Sequence, residues 1–150
     1  MLNILNIDDV YSNIFFNVFF NKSVKNNILS NGYFTKINYS DDLIVMTGLF
    51  INLSLKNIHY ENFFNKYKCS FSLKENNELI EKVKILEINI IQKFNISKIP
   101  QYILYEHFKN GNIKLHNIKN TNNENNFLLR ISGIWENETH YGLTYKFISL

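Results

Sequence analysis

The sequence predicts a mainly β domain with helices, an α+β fold, and three observations carry that expectation. Residues 33–39 and 66–74 alternate apolar and polar side chains with a period of two, as a strand half buried in a sheet requires. Residues 75–94 switch to apolar positions at three- and four-residue steps, which line one stripe of a helix. Hydrophobic residues make up 45% and aromatics 15% of the 150 positions. A chain of that length buries roughly 70% of its unfolded surface, so one core suffices and residues 1–150 read as a single domain.

Gly and Pro are scarce, with five and one copies, so turns are read from Asn, Asp and Ser, whose side chains bond nearby backbone. SNG at 30–32, SDD at 40–42 and KNTNNENN at 119–126 are such breaks. Residues 1–30 form an amino-terminal extension that supplies an interface or an extra strand. The first clear strand, 33–39, sets Tyr33, Thr35, Ile37 and Tyr39 against Phe34, Lys36 and Asn38. LIVMTGLFINLSLK at 43–56 is a long β-type run with Gly48 in its middle, where a bulge or bend lets the strand curve. KYKCSFSLK at 66–74 places Tyr67, Cys69, Phe71 and Leu73 on one face and Lys66, Lys68, Ser70, Ser72 and Lys74 on the other.

In the helix that follows, Leu79, Val83, Leu86, Ile90 and Phe94 form the buried stripe, and Asn76 or Asn77 caps its start. It ends before Pro100, and 101–111 reads as a second short helix stopped by Gly111. NIKLHNI then points Ile113 and Leu115 inward and Lys114 and His116 outward. Strands at 127–136 and 141–148 close a hairpin through ENETH. Parity puts Leu129, Ile131 and Trp135 on one side of the first strand, and Leu143, Tyr145 and Phe147 on the core side of its return. Arg130, Ser132, Thr144 and Lys146 face away. The succession of three strands, a helix and further strands, with a bend in the long second strand, fits an OB-fold-like Greek-key barrel with its helix between strands three and four.

Several functional classes are excluded on chemistry. His59, His107, His116 and His140 show no metal-ligand spacing, so neither a metal nor a cofactor is expected. SGIWE around Ser132 is no nucleophile elbow, phosphate-binding glycine loops are missing, and Glu136 and Glu138 share only a turn; no enzyme is expected. Cys69 is the sole cysteine, which suits a reducing, intracellular setting. The amino terminus lacks a signal-peptide pattern, and NIFFNVFFN at 13–21 falls short of the ~20 apolar residues of a membrane span. Ala is absent, Asn, Ile and Lys abound, and Arg130 is the only arginine, a bias that A/T-rich codons explain without chemistry.

Net charge is +3 with a pI near 8.9, a mild basic excess compatible with nucleic acid. Lys36, Lys56, Lys66, Lys68, Lys114, Arg130 and Lys146 leave the strands on their outward parity, while the acids gather in turns and on the helix. Cations along a backbone and rings stacked on bases are what a single strand needs, and Phe50, Trp135 and Tyr141 are the candidate rings.

LNILNIDDV, the alternating YFTKINY, the long LIVMTGLF, KYKCSFSLK before a helix, and above all ISGIWENETHYGLTYKF together resemble a family. It is the single-stranded-DNA-binding proteins of the T-seven-phage type, with relatives in large DNA viruses of eukaryotes. The resemblance spans residues 2–148. It implies an OB-fold homodimer that coats single-stranded DNA without sequence preference during viral replication and recombination, at the site of replication in an infected cell. Phage members carry an acidic carboxy-terminal tail that engages replication proteins, whereas this sequence ends YKFISL, so tail-borne recruitment is not implied. The alternative is a structural or adaptor protein of a virus particle or replication complex. In that reading an OB-like barrel makes protein contacts, NIFFNVFF is an interface strand and the lysines merely solubilise.

Overall fold

The computed structural model describes residues 4–11, 13–26, 32–115 and 125–149. The amino-terminal part contributes β1 (Leu5–Asn6), 3₁₀ turns at Ile7–Tyr11 and Asn13–Asn17, β2 (Val18–Phe20) and β3 (Val24–Asn26). Next come β4 (Gly32–Ser40), β5 (Val45–Thr47), β6 (Leu49–Ser54), β7 (Ile58–Phe63), β8 (Lys66–Phe71) and helix α1 (Asn77–Phe94). The remainder is β9 (Ile99–Gln101), helix α2 (Ile103–Lys109), β10 (Asn112–Leu115), β11 (Asn126–Glu136) and β12 (His140–Ser149). The chain is therefore mainly β with helices.

The principal path through the sheet is β1-β6-β11-β12-β10-β8-β7, and β4 joins β11 from the side while carrying β2, β3 and β5. This corrects the expected barrel: β1 and β7 lie at opposite ends of the path and do not pair, so the sheet stays open. Two features of this open sheet are absent from the sequence reading. β7 extends the sheet as a hairpin partner of β8, and β12 takes parallel neighbours in β9 and β10.

β11 is the spine. It pairs with β12 along one side; along the other it pairs with β6 from Asn126 to Ile131 and then with β4 from Gly133 to Glu136. Ser132 is the extra residue at the changeover, where the register shifts between Ile131 and Gly133. A one-residue bulge exchanges the two faces of everything beyond it. Ile134 therefore enters the core and Trp135 leaves it, opposite to the uninterrupted parity read from the sequence. The bend expected at Gly48 is present: its φ is 92, its N–H donates to the Ile37 carbonyl at 2.7 Å, and the chain passes from β4 to β11 as β5 gives way to β6. An L-residue with that φ is strained, which is why glycine sits there.

One side of the sheet packs on the helices. Leu49, Ile51, Leu129, Ile131, Ile113 and Leu115 are buried with Val83, Leu86 and Ile90 of α1 and Leu104 and Phe108 of α2. Asn76 precedes α1 without capping it through its side chain; its amide instead accepts from the Lys56 N–H at 2.8 Å and donates to the Lys56 carbonyl at 2.9 Å. That pair fixes the loop after β6 to the start of the helix. Residues before β4 are part of the same body: Leu5, Ile7, Val10 and Val18 are buried, and the Phe20 ring lies 5.0 Å from that of Phe94. The extension thus supplies core and extra strands. His116 and residues 119–124 of the Asn-rich loop lie outside the described residues.

Candidate nucleic-acid interface

Register places the functional candidates, because residues paired across a sheet share a face. Phe50 on β6 pairs with Arg130 on β11, and Arg130 pairs with Lys146 on β12. The parallel pairing of Leu115 with Phe147 sets Lys114 of β10 beside Lys146 on the opposite face. Lys114 pairs with Lys68 on β8, and Lys68 with Glu61 on β7. The result is a single row, Phe50, Arg130, Lys146, Lys114, Lys68 and Glu61, crossing six adjacent strands on the face turned away from the helices. Lys146, Lys114 and Lys68 are exposed and Arg130 is half-buried. With strands ~4.8 Å apart, the four cations span about 14 Å.

Polar side chains flank this row. Lys36 pairs with Gly133, which pairs with Thr144; Asn112 pairs with Ser70 and Ser70 with His59. Lys66 lies two residues from Lys68 on the same face, next to the β7–β8 turn.

The aromatic rings divide differently from the sequence expectation. Phe50 is half-buried with the Arg130 guanidinium carbon 5.5 Å from its ring centre, and the Arg130 Nε has no hydrogen-bond partner among the described residues. Trp135 is half-buried on the cationic face, lying over Gly142: a Cβ added there would meet Cζ2 and Nε1 of the indole at 3.1 Å. Phe34, which the sequence reading did not single out, covers Gly133 in the same way, with its Cζ 2.5 Å from the position of a Cβ. Tyr141 is a correction: it is 4% exposed, sits on the core parity of β12, and its ring lies 6.1 Å from that of Phe94. Burial against the helix removes it as a stacking surface.

Lys56 also stands apart. It follows β6 and lines a separate cleft of about 530 Å³ with Asp8, Lys74, Glu75, Glu78 and Lys82, where acids balance the lysines. Of the sequence-predicted cations, Arg130, Lys146, Lys114, Lys68, Lys66 and Lys36 therefore share one face, and Lys56 does not. Phe34 was hidden because only the bulge at Ser132 and the pairing of β4 with β11 bring it beside Trp135.

Behind the sheet, the buried Glu87 carboxylate of α1 accepts from the N–H groups of Leu104 and Tyr105, at 3.0 and 2.8 Å, at the start of α2. Burial outweighs those bonds and pushes Glu87 up to about 7. The Tyr145 hydroxyl lies 2.8 Å from His107 Nδ1 on the same side. Burial also pushes the Cys69 thiol up to about 12, so it stays protonated. Among the described residues, no three His, Cys, Asp or Glu side chains gather as metal ligands, and no helix is long and apolar enough to cross a membrane. Compared with protein-family models, curated proteins and solved structures, the chain matches none.

Proposed function

We propose that the sheet face turned away from the helices binds single-stranded DNA without sequence preference, as an accessory of viral DNA replication and recombination. The observation that carries the reading is the row Arg130, Lys146, Lys114, Lys68. Like charges directly opposite in a sheet are destabilising. Solubilising charge is normally mixed in sign, and here the one acid of the row, Glu61, stands at its end. A polyanion laid across the strands would offset the repulsion. Phe50, Trp135 and Phe34 lie beside the cations, where they suit a strand whose bases are free to stack; a duplex presents no free base faces.

The OB-type assignment belongs to this proposal as its finer part. Support comes from the bend at Gly48 and from α1 following the KYKCSF strand, while the open sheet sets the chain apart from a closed barrel. A homodimer and a setting at the site of viral replication come with the resemblance and are proposed on that basis. The adaptor reading keeps one observation in its favour: Leu43 and Val45 at the β4–β5 turn are 91% and 77% exposed.

Fluorescence-anisotropy titration with oligo-dT over a range of salt tests the proposal. Binding that weakens with salt, and that is lost in the Lys68→Glu/Lys114→Glu double variant but kept in Leu43→Ser/Val45→Ser, is expected. No binding at low salt, or binding indifferent to salt, contradicts it.

A further inference from the structure

An open sheet has two ends, and at one of them β7 leaves a long edge with no neighbour among the described residues. β1, β2, β3, β5 and β9 also have a single pairing neighbour there, but each is two or three residues long. β7 runs for six residues, pairs with β8 without a register shift, and carries neither Pro nor Lys, the usual protections of a free edge.

The backbone groups on that edge follow from the register. Phe63 pairs with Lys66 across a two-residue turn, which closes on a pair that exchanges both hydrogen bonds. The exchange recurs at every second residue, so Phe63, Glu61 and His59 bond to β8, whereas the N–H and C=O of Ile58, Tyr60 and Asn62 point off the sheet. β8 agrees with this phase: the Phe71 N–H donates to the Gly111 carbonyl at 2.9 Å, on the side away from β7. An unprotected row of donors and acceptors is a template for another strand.

The side chains select that strand. His59 and Glu61 are exposed on the cationic face, and no ion pair engages Glu61 among the described residues, even though Lys68 is its register partner. Two copies of β7 meeting antiparallel about a two-fold axis at Tyr60 set His59 of each opposite Glu61 of the other. Those are non-hydrogen-bonded pairs, with Cα atoms about 4.5 Å apart, so the side chains lie close. An imidazole, neutral or charged, has an N–H to donate to a carboxylate. The same register pairs Tyr60 with Tyr60 and Ile58 with Asn62, exchanging about six hydrogen bonds. Moving the axis by one residue sets His59 against His59 or Glu61 against Glu61, and neither gives the carboxylate a donor.

We infer that the β7 edge docks a second copy of this chain, joining the two sheets into one, with His59 and Glu61 fixing the register. The consequence for DNA rests on the single-strand reading of the sheet face: both cationic rows come to lie on one continuous face, with the two β8 strands three strand spacings, about 14 Å, apart. The homodimer thereby gains a surface, and one DNA strand can engage two copies. A six-residue edge buries less than a standard interface, so the dimer is weak, and DNA spanning both copies tightens it.

Sedimentation equilibrium of the DNA-free chain over a range of concentrations tests the inference. The wild type should show a reversible monomer–dimer equilibrium. His59→Glu, which sets carboxylates opposite one another twice, should weaken dimerisation about tenfold, and the charge-swapped His59→Glu/Glu61→His should restore it. A wild type that stays monomeric, as it would if the edge served a strand of another protein, overturns the inference. So does a His59→Glu variant that dimerises like the wild type, or a double variant that dimerises no better than the single one. Salt-dependent binding of oligo-dT by the wild type stands after any of these results, whereas absence of that binding with dimerisation intact removes only the single-strand reading.

Discussion

Replacing Lys114 by Gln tests the cationic row in two independent ways. Lys114 stands between Lys146 and Lys68, with its backbone paired and its side chain exposed. Each phosphate contact to a single strand contributes about 0.7 to the slope of log affinity against log salt. Four cations in the row therefore give a slope of about −2.8, and a tenfold rise in salt should lower affinity by roughly 600-fold. Lys114→Gln should bring the slope to about −2.1. Removing the middle of three adjacent like charges should at the same time raise stability by about 0.2–1 kcal/mol, readable as a higher denaturant midpoint. Lys56→Gln is the control, since Lys56 lies in the separate acid-balanced cleft and should leave the slope unchanged. The reasoning fails if Lys114→Gln keeps the wild-type slope, or if Lys56→Gln lowers it as much.

Three further outcomes follow from the geometry. Gly133→Ala should destabilise by about 3 kcal/mol in urea denaturation, because a Cβ would lie 2.3 Å from the Thr35 carbonyl and against the Phe34 ring; a loss below about 0.5 kcal/mol would mean that β4 does not sit so close to β11. Trp135 is the only tryptophan, so its fluorescence should be quenched as oligo-dT saturates the protein; unchanged emission at saturation would remove the indole from the contact surface. Glu87 gives a pH signature. Its folded pKa of about 7 lies above the ordinary value of 4.5, so its stabilising contribution is full below pH 4.5 and is lost as pH rises through 7. That contribution is on the order of 3 kcal/mol. The nearby Glu106 charge reinforces the rise. His107, lowered by burial and by Lys114, gives the opposite trend below pH 6.5 and is present in both proteins compared. Glu87→Gln should therefore flatten the fall in melting temperature between pH 5 and 8 relative to wild type; parallel pH profiles would contradict the buried, raised carboxyl.

Much of this architecture is legible in the sequence because alternation and helical period report burial directly. The strands at 32–40, 66–71, 112–115 and the terminal hairpin, helix α1, and the bend at Gly48 all carry local signals of that kind. The cationic face is legible for the same reason, since each lysine takes the parity opposite its buried neighbours. Three features escaped because they depend on partners distant in sequence. The bulge at Ser132 reverses the parity of Trp135, and nothing in ISGIWE marks the extra residue before β4 and β6 are known to share β11. β7 is not legible because IHYENF mixes His, Glu and Asn into a strand whose only hydrogen-bonded neighbour among the described residues is β8. Tyr141 reads from the sequence as a candidate stacking ring, but β9 pairs alongside it and α1 brings Phe94 against its ring.

Backbone amide chemical-shift mapping of the protein with oligo-dT tests the central claim most directly. Shifts concentrated on β8, β10, β11 and β12 around Lys68, Lys114, Arg130 and Lys146, with α1 and α2 silent, are the predicted result. Shifts centred on the cleft at the start of α1, or on the helix side of the sheet, would contradict the assignment of the cationic face as the DNA-binding surface.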